Sequence, residues 1–226
     1  DEGPLVNVVG AVFQFLKALT PISILRATLL RGRSKAFLDN FTDFWIVLRL
    51  GASLAAAIVV ALKPDWPTWA PLAVGLFAAY SLFDVIIIQV NVLLFDPYFH
   101  RKAFLAGKVP KPYALRGRYR LLLALLANFL EIGLWYTAAY LYLSDAGQLS
   151  VQAFDANGLA ALPLMFQECM RALITFDVSS FESEQGTLAF NLVIIQSFVG
   201  MFMTIVMLAR VVSLLPTPKA DSDGEL

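Results

Sequence analysis

The chain has 226 residues, of which 59% are hydrophobic and 15% charged, and its mean hydropathy is +0.71. A soluble domain is nearer half apolar and a quarter charged, so this composition excludes an ordinary water-soluble domain and points to an all-α integral membrane protein in contact with the lipid bilayer. The formal net charge of zero gives no reason to expect a nucleic-acid partner, the single Cys169 excludes an intrachain disulfide, and the single His100 argues against a zinc site, so neither metal nor cofactor is expected.

Residues 1–40 read as an amphipathic interfacial segment. Residues 1–10 lack a basic stretch followed by an apolar core, so no signal peptide is expected, and the Asp1 start is that of a processed or trimmed chain. Val6, Val9, Phe13, Leu16, Leu19, Ile24 and Leu25 recur at largely helical spacings interrupted by Pro21, with Lys17, Arg26, Arg31, Arg33 and Lys35 among and after them. Helices lying on the cytoplasmic membrane surface fit this pattern. So do helices packed under the membrane bundle.

Residues 41–97 hold two membrane helices, Phe44–Leu62 and Trp69–Phe95. Arg49 lies about five residues into the first, where its stem is expected to reach back to the headgroups. Two prolines and two tryptophans between Lys63 and Trp69 suit a tight interfacial turn. Asp84 falls near the middle of the second helix, and Asp96-Pro97 stops it. Residues 98–118 form a basic cytoplasmic loop with Arg101, Lys102, Lys108, Lys111, Arg116 and Arg118.

Residues 119–215 form the last unit. Tyr119–Leu143 is a third membrane helix with Asn128 and Glu131 near its middle and an aromatic end at Trp135, Tyr136, Tyr140 and Tyr142. A polar connection over 144–162 has no basic residue. The apolar run Leu164–Thr175 is too short to cross a bilayer, Asp177–Thr187 is polar and acidic, and Leu188–Leu215 supplies about 28 residues whose one charge is Arg210. At 1.5 Å per residue that last run spans about 30 Å of hydrocarbon. A half-length helix, a polar segment and a full span make a re-entrant pore loop, and irregular backbone at membrane depth belongs where water reaches it or protein buries it. Residues 216–226, with two prolines and three acids, read as a disordered tail. Lys and Arg are concentrated before the first span and after the second, so both termini are expected in the cytoplasm, with the re-entrant segment entering from outside.

Tyr119–Leu215 resembles the two-helix pore module of the potassium channel superfamily. Arg171-Ala-Leu-Ile-Thr-Phe matches the end of the family's pore helix, and Ile195-Gln-Ser-Phe-Val-Gly-Met-Phe-Met-Thr-Ile-Val-Met-Leu-Ala-Arg resembles its inner helix, with Gly200 at the hinge glycine. Small bacterial members with two additional N-terminal helices share this size and layout. The resemblance implies a homotetramer in a bacterial inner membrane that conducts cations and is no enzyme. The filter departs from the family's Thr-Val-Gly-Tyr-Gly. Aligned on Ile174-Thr175-Phe176, this chain reads Val178-Ser179-Ser180-Phe181-Glu182, with no glycine to turn carbonyls inward and with Ser180 and Glu182 at the positions where φ > 0 is costly. Thr175-Phe176-Asp177 is similar to the Thr-x-Asp/Glu filter of sodium and calcium channels, without the tryptophan that follows there.

The filter and pore residues are therefore Thr175, Phe176, Asp177, Val178, Ser179, Ser180, Phe181 and Glu182. Asp177 carboxylates gathered round a fourfold axis would attract monovalent or divalent cations, and close carboxylates without a counter-ion would retain some protons. Ser197, Gly200 and Thr204 share one face of the last helix, as pore lining and hinge, and Glu168 and Arg171 are spaced to pair. The intramembrane acids Asp84 and Glu131 either pair with Arg49 or stay neutral and hydrogen-bond to Asn128 or Gln89. Loss of both filter glycines leaves a second reading open, a non-conducting scaffold or sensor built on the channel fold. An intramembrane aspartyl protease would need Tyr-Asp and Gly-x-Gly-Asp contexts, which the chain lacks.

Overall fold

The computed structural model describes residues 4–28, 30, 32–62, 69–95, 99, 103–104, 107, 118–151 and 158–214. The turn expected over 63–68, nearly all of the basic loop and the tail over 216–226 lie outside the described residues. The elements are α1 (Pro4–Ala18), α2 (Pro21–Thr28), α3 (Lys35–Ala61), α4 (Ala70–Val90), α5 (Arg118–Asp145), β1 (Ser150–Val151), α6 (Ala161–Thr175), β2 (Phe181–Glu182) and α7 (Leu188–Leu214). Four of them hold stretches long and apolar enough to cross a membrane: Asn40–Ala61, Ala70–Val90, Leu122–Asp145 and Leu188–Ala209. The protein is thus mostly helical and membrane-embedded.

Local sequence explains the helix ends. Ser34 accepts a hydrogen bond from the Phe37 amide at 3.3 Å and caps α3, so that helix begins well before its apolar part. Pro71 sits in the first turn of α4, where its missing N–H leaves nothing unsatisfied. At its far end α4 passes into a π-helical turn over Asn91–Phe95, and Asn91 Nδ2 donates to the Ile87 carbonyl at 2.9 Å and to the Phe13 carbonyl at 3.1 Å.

That second bond ties the N-terminal segment to the bundle. Gly10 lies against Phe95 and Phe99, the Phe13 ring stacks on Phe95 at 5.2 Å, and the Tyr80 hydroxyl donates to the Leu19 carbonyl at 2.6 Å. Rising numbers in α1 meet falling numbers in α4, so α1 runs antiparallel along the second half of α4. Its corner, the fully buried Thr20, reaches the level of Asp84. α1 therefore packs against the side of α4 and not beneath the bundle. The outer face of α1 stays apolar, with Val8, Val12, Phe15 and Leu19 exposed at four-, three- and four-residue spacing.

Lipid supplies no hydrophobic force between helices, so polar contacts and close packing hold them together. At one end Arg120 Nε donates to Asp43 Oδ1 at 2.8 Å, which aligns the starts of α3 and α5. α5 is the central helix: 61% of its apolar window is buried, against 22–33% for the other three. Its Gly133 faces Met170 and Phe166 of α6, while Gly200 of α7 faces Leu173. α6 therefore lies between α5 and α7, parallel to α7. It stops opposite Gly200, 12 residues or about 18 Å into α7. The chain then turns back. Phe181 meets the Tyr140 ring at 4.9 Å and pairs with Val151, and Glu182 pairs with Ser150, just beyond the end of α5.

Candidate functional site

The loop leaving α6 is shaped by hydrogen bonds along its own sequence. Phe176 ends the helix in the left-handed region (φ 60°, ψ 11°), with its amide on the Ala172 carbonyl at 2.9 Å. For a side chain with Cβ that conformation costs about 1–2 kcal/mol, and the Phe176 carbonyl is held by the Ser197 hydroxyl at 3.3 Å. Asp177 Oδ1 accepts from the Ser179 amide at 2.9 Å, closing a tight turn. Its other oxygen accepts from Arg171 Nη1 at 2.9 Å, and Arg171 also holds Glu168 Oε2 through Nη2 at 2.8 Å and Nε at 3.0 Å.

The pairing of Glu168 with Arg171 follows the three-residue spacing, but Arg171 also serves Asp177. The left-handed turn at Phe176 folds the chain back over the last helical turn and brings a residue six positions on into reach. Asp177 thus has a counter-ion within its own chain, where a ring of bare carboxylates would hold protons. The bonds from Ser179, with Arg171 adding to them, keep its carboxyl below the usual carboxylate range.

Around it, Thr175, Phe176 and Ser179 are exposed and Val178 is half-buried. Ser180 and Phe181 are buried within the chain. Glu182 is exposed and accepts from the Ser150 hydroxyl at 3.3 Å. Neither Ser180 nor Glu182, which align with the glycines of a potassium-channel filter, adopts positive φ; in this loop Phe176 and Gly186 do so instead. The backbone avoids the strain that a glycine-type filter would impose on these residues.

Behind the loop a polar lock joins three helices. The Tyr140 hydroxyl of α5 donates to Gln196 Oε1 of α7 at 2.5 Å, and Gln196 Nε2 donates to the Cys169 carbonyl of α6 at 3.0 Å; all three residues are fully buried. Gln196 was not among the residues expected at the site, although an amide inside an apolar run is itself a signal in a membrane helix. Burial pushes the Cys169 thiol up to about 12. The thiolate is the reactive form, so a maleimide at pH 8 is expected to leave Cys169 unlabelled in folded protein and to label it fully after denaturation, as mass spectrometry would record.

On α7, Ser197 and Gly200 turn toward the α6 loop and Leu173, and Thr204 is half-buried. The outward stripe of this helix is Ile194, Phe198, Met201, Ile205, Leu208 and Val212, all exposed. Their four- and three-residue alternation is that of a helix-packing seam.

A second constellation lies between α3, α4 and α5. Arg49 does not reach for the headgroups. It is 4% exposed and bonded to Asp84 through Nη1, to Asn128 Oδ1 at 3.1 Å and to Glu131 Oε2 at 3.3 Å. Glu131 Oε1 accepts from the Ser81 hydroxyl at 2.5 Å and from the Trp135 indole at 3.4 Å. Arg49 turns inward because two carboxyls at its own depth bind its guanidinium, so of the arrangements open to Asp84 and Glu131 the pairing with Arg49 is the one found. No protein-family model, curated protein or solved structure matches the chain.

Proposed function

We propose that the chain is one subunit of a homotetrameric cation channel with a potassium-channel-like pore module and an acidic mouth, weakly selective among monovalent and divalent cations. The observation that carries this reading is the arrest of α6 halfway along α7, with its carboxyl-terminal end opening into an exposed loop that bears Asp177. The negative end of a helix dipole and a carboxylate together favour a cation there. The apolar stripe on α7 would meet neighbouring subunits, since one half-helix between two spans cannot enclose an axis alone. Both termini would be cytoplasmic, and the membrane a bacterial inner membrane.

The second reading, a non-conducting scaffold or sensor, is favoured by the Arg171 clamp on Asp177 and by burial of Ser180 and Phe181. Currents in planar bilayers separate the two. If the loop lines a pore, Asp177→Asn is expected to weaken divalent block and Arg171→Gln to strengthen it, each by about tenfold in blocking concentration, because a carboxylate and a guanidinium act with opposite sign on a cation. Glu184→Gln should change block far less, because Glu184 is an exposed residue after the turn. The pH dependence has a definite sign. A carboxyl held below its ordinary value keeps its charge through the ordinary carboxylate range and loses it only below, so block by wild type should survive mild acid and fade at a pH lower than an unshifted aspartate would give.

A further inference from the structure

The Arg49 constellation contains one cation and two acids, and none of the three belongs to the loop of the proposed pore. Asp84 and Glu131 are fully buried. Arg49 and Glu131 each lie 9 residues, about 14 Å, beyond the starts of their spans at Asn40 and Leu122, and Asp84 lies 6 residues, about 9 Å, before the end of its span at Val90. These ends are on one side of the bundle, so all three charges sit well inside it at similar depth. Among the described residues, the charged group acting on Asp84 is Arg49, and those acting on Glu131 are Arg49 and Asp84; Thr20 and Trp45 beside Asp84, and Ser81 and Trp135 beside Glu131, carry no charge. With both carboxyls ionised the cluster would hold a net charge of minus one away from water, which costs several kcal/mol or more. Two buried carboxyl oxygens of the cluster, Asp84 Oδ1 and Glu131 Oε2, have no hydrogen-bond partner among the described residues, although Glu131 Oε2 is ion-paired with Arg49 at 3.3 Å.

We propose that this cluster is a proton-binding site, in which one proton is shared by Asp84 and Glu131 against Arg49, making the cluster neutral at neutral pH. A proton suits it better than a metal ion. The guanidinium at the centre repels any cation that cannot become part of a carboxyl group, and two carboxyls are too few oxygens for the six or more that a calcium ion takes. Losing the proton would leave like charges facing each other between α4 and α5. The site would thereby link proton occupancy to the packing of α5, the helix on which α6 rests. This holds whether or not α6 lines a pore.

Infrared difference spectroscopy on the purified full-length protein in lipid tests it. Wild type at neutral pH should show one protonated carboxylic-acid C=O band per chain, sensitive to deuterium exchange. Asp84→Asn and Glu131→Gln should each fold and each lose the band, because the remaining acid then ionises against Arg49. Asp84→Asn/Glu131→Gln should lose folded yield, with Arg49 left uncompensated. Absence of the band in folded wild type would overturn the proposal, as would its persistence in both single variants. So would an absent band accompanied by a melting temperature that rises when sodium replaces a large organic cation at constant ionic strength, since the bound cation would then be a metal.

Discussion

Arg49→Met is expected to lower stability by about 3–5 kcal/mol, the cost of removing one partner from a buried ion pair. Arg49 donates to Asp84 and Asn128 and is ion-paired with Glu131, on two other helices, and no other cation among the described residues acts on those acids. Methionine fills much of the volume but leaves the negative charge held by Asp84 and Glu131 without a counter-charge, and both residues are fully buried. Arg49→Lys should fall between wild type and Arg49→Met, because a single ammonium cannot present the planar fork that reaches three acceptors. If charge is the cause, adding Asp84→Asn and Glu131→Gln to Arg49→Met should recover most of the loss, a non-additivity that independent sites do not show. Thermal unfolding followed by tryptophan fluorescence in mild detergent measures all four proteins. A melting temperature for Arg49→Met within a degree or two of wild type would contradict the central place given to this residue.

Gly200→Ala is expected to have the second large effect, because a Cβ there would stand 2.5 Å from the Leu173 carbonyl oxygen and 2.9 Å from its Cα. Both atoms are backbone in the last turns of α6, so relief requires α6 or α7 to move. Overpacking of this kind costs about 1–3 kcal/mol, and Gly200→Val should exceed it. Gly133→Ala is the control. Its Cβ would come equally close, 2.5 Å, but to Met170 Sδ, the far part of a flexible side chain that can swing aside. The expected order of melting temperatures is wild type, then Gly133→Ala close behind, then Gly200→Ala, then Gly200→Val. Gly200 serves close approach between α6 and α7.

The four long helices were legible because their apolar runs exceed the length of a bilayer and are bounded by charge, proline or glycine. The half-helix was legible for the opposite reason, an apolar run too short to cross that is followed directly by Asp177. Contacts that depend on three-dimensional register were harder to read. Arg49 could be seen as an intramembrane charge, but a snorkelling stem and an ion pair produce the same sequence, and only the depths of Asp84 and Glu131 on other helices separate them. Arg171 paired with Glu168 by helical spacing; its second bond, to Asp177, needed the left-handed turn at Phe176, which no glycine announces. The path of α1 along α4 was also hidden, because the Thr20 corner looks like any proline-initiated break until Tyr80 and Asn91 are seen to bond its flanks.

If the α6 loop conducts cations with selectivity set by charge, as proposed, the reversal potential under a sodium–potassium gradient will show it. Purified protein in a planar bilayer should pass current with a reversal potential near zero under bi-ionic sodium and potassium, well away from zero under a salt gradient with the sign of cation preference, and with block by calcium that Asp177→Asn relieves. A reversal potential at the potassium equilibrium value, or no current from correctly folded protein, would contradict it.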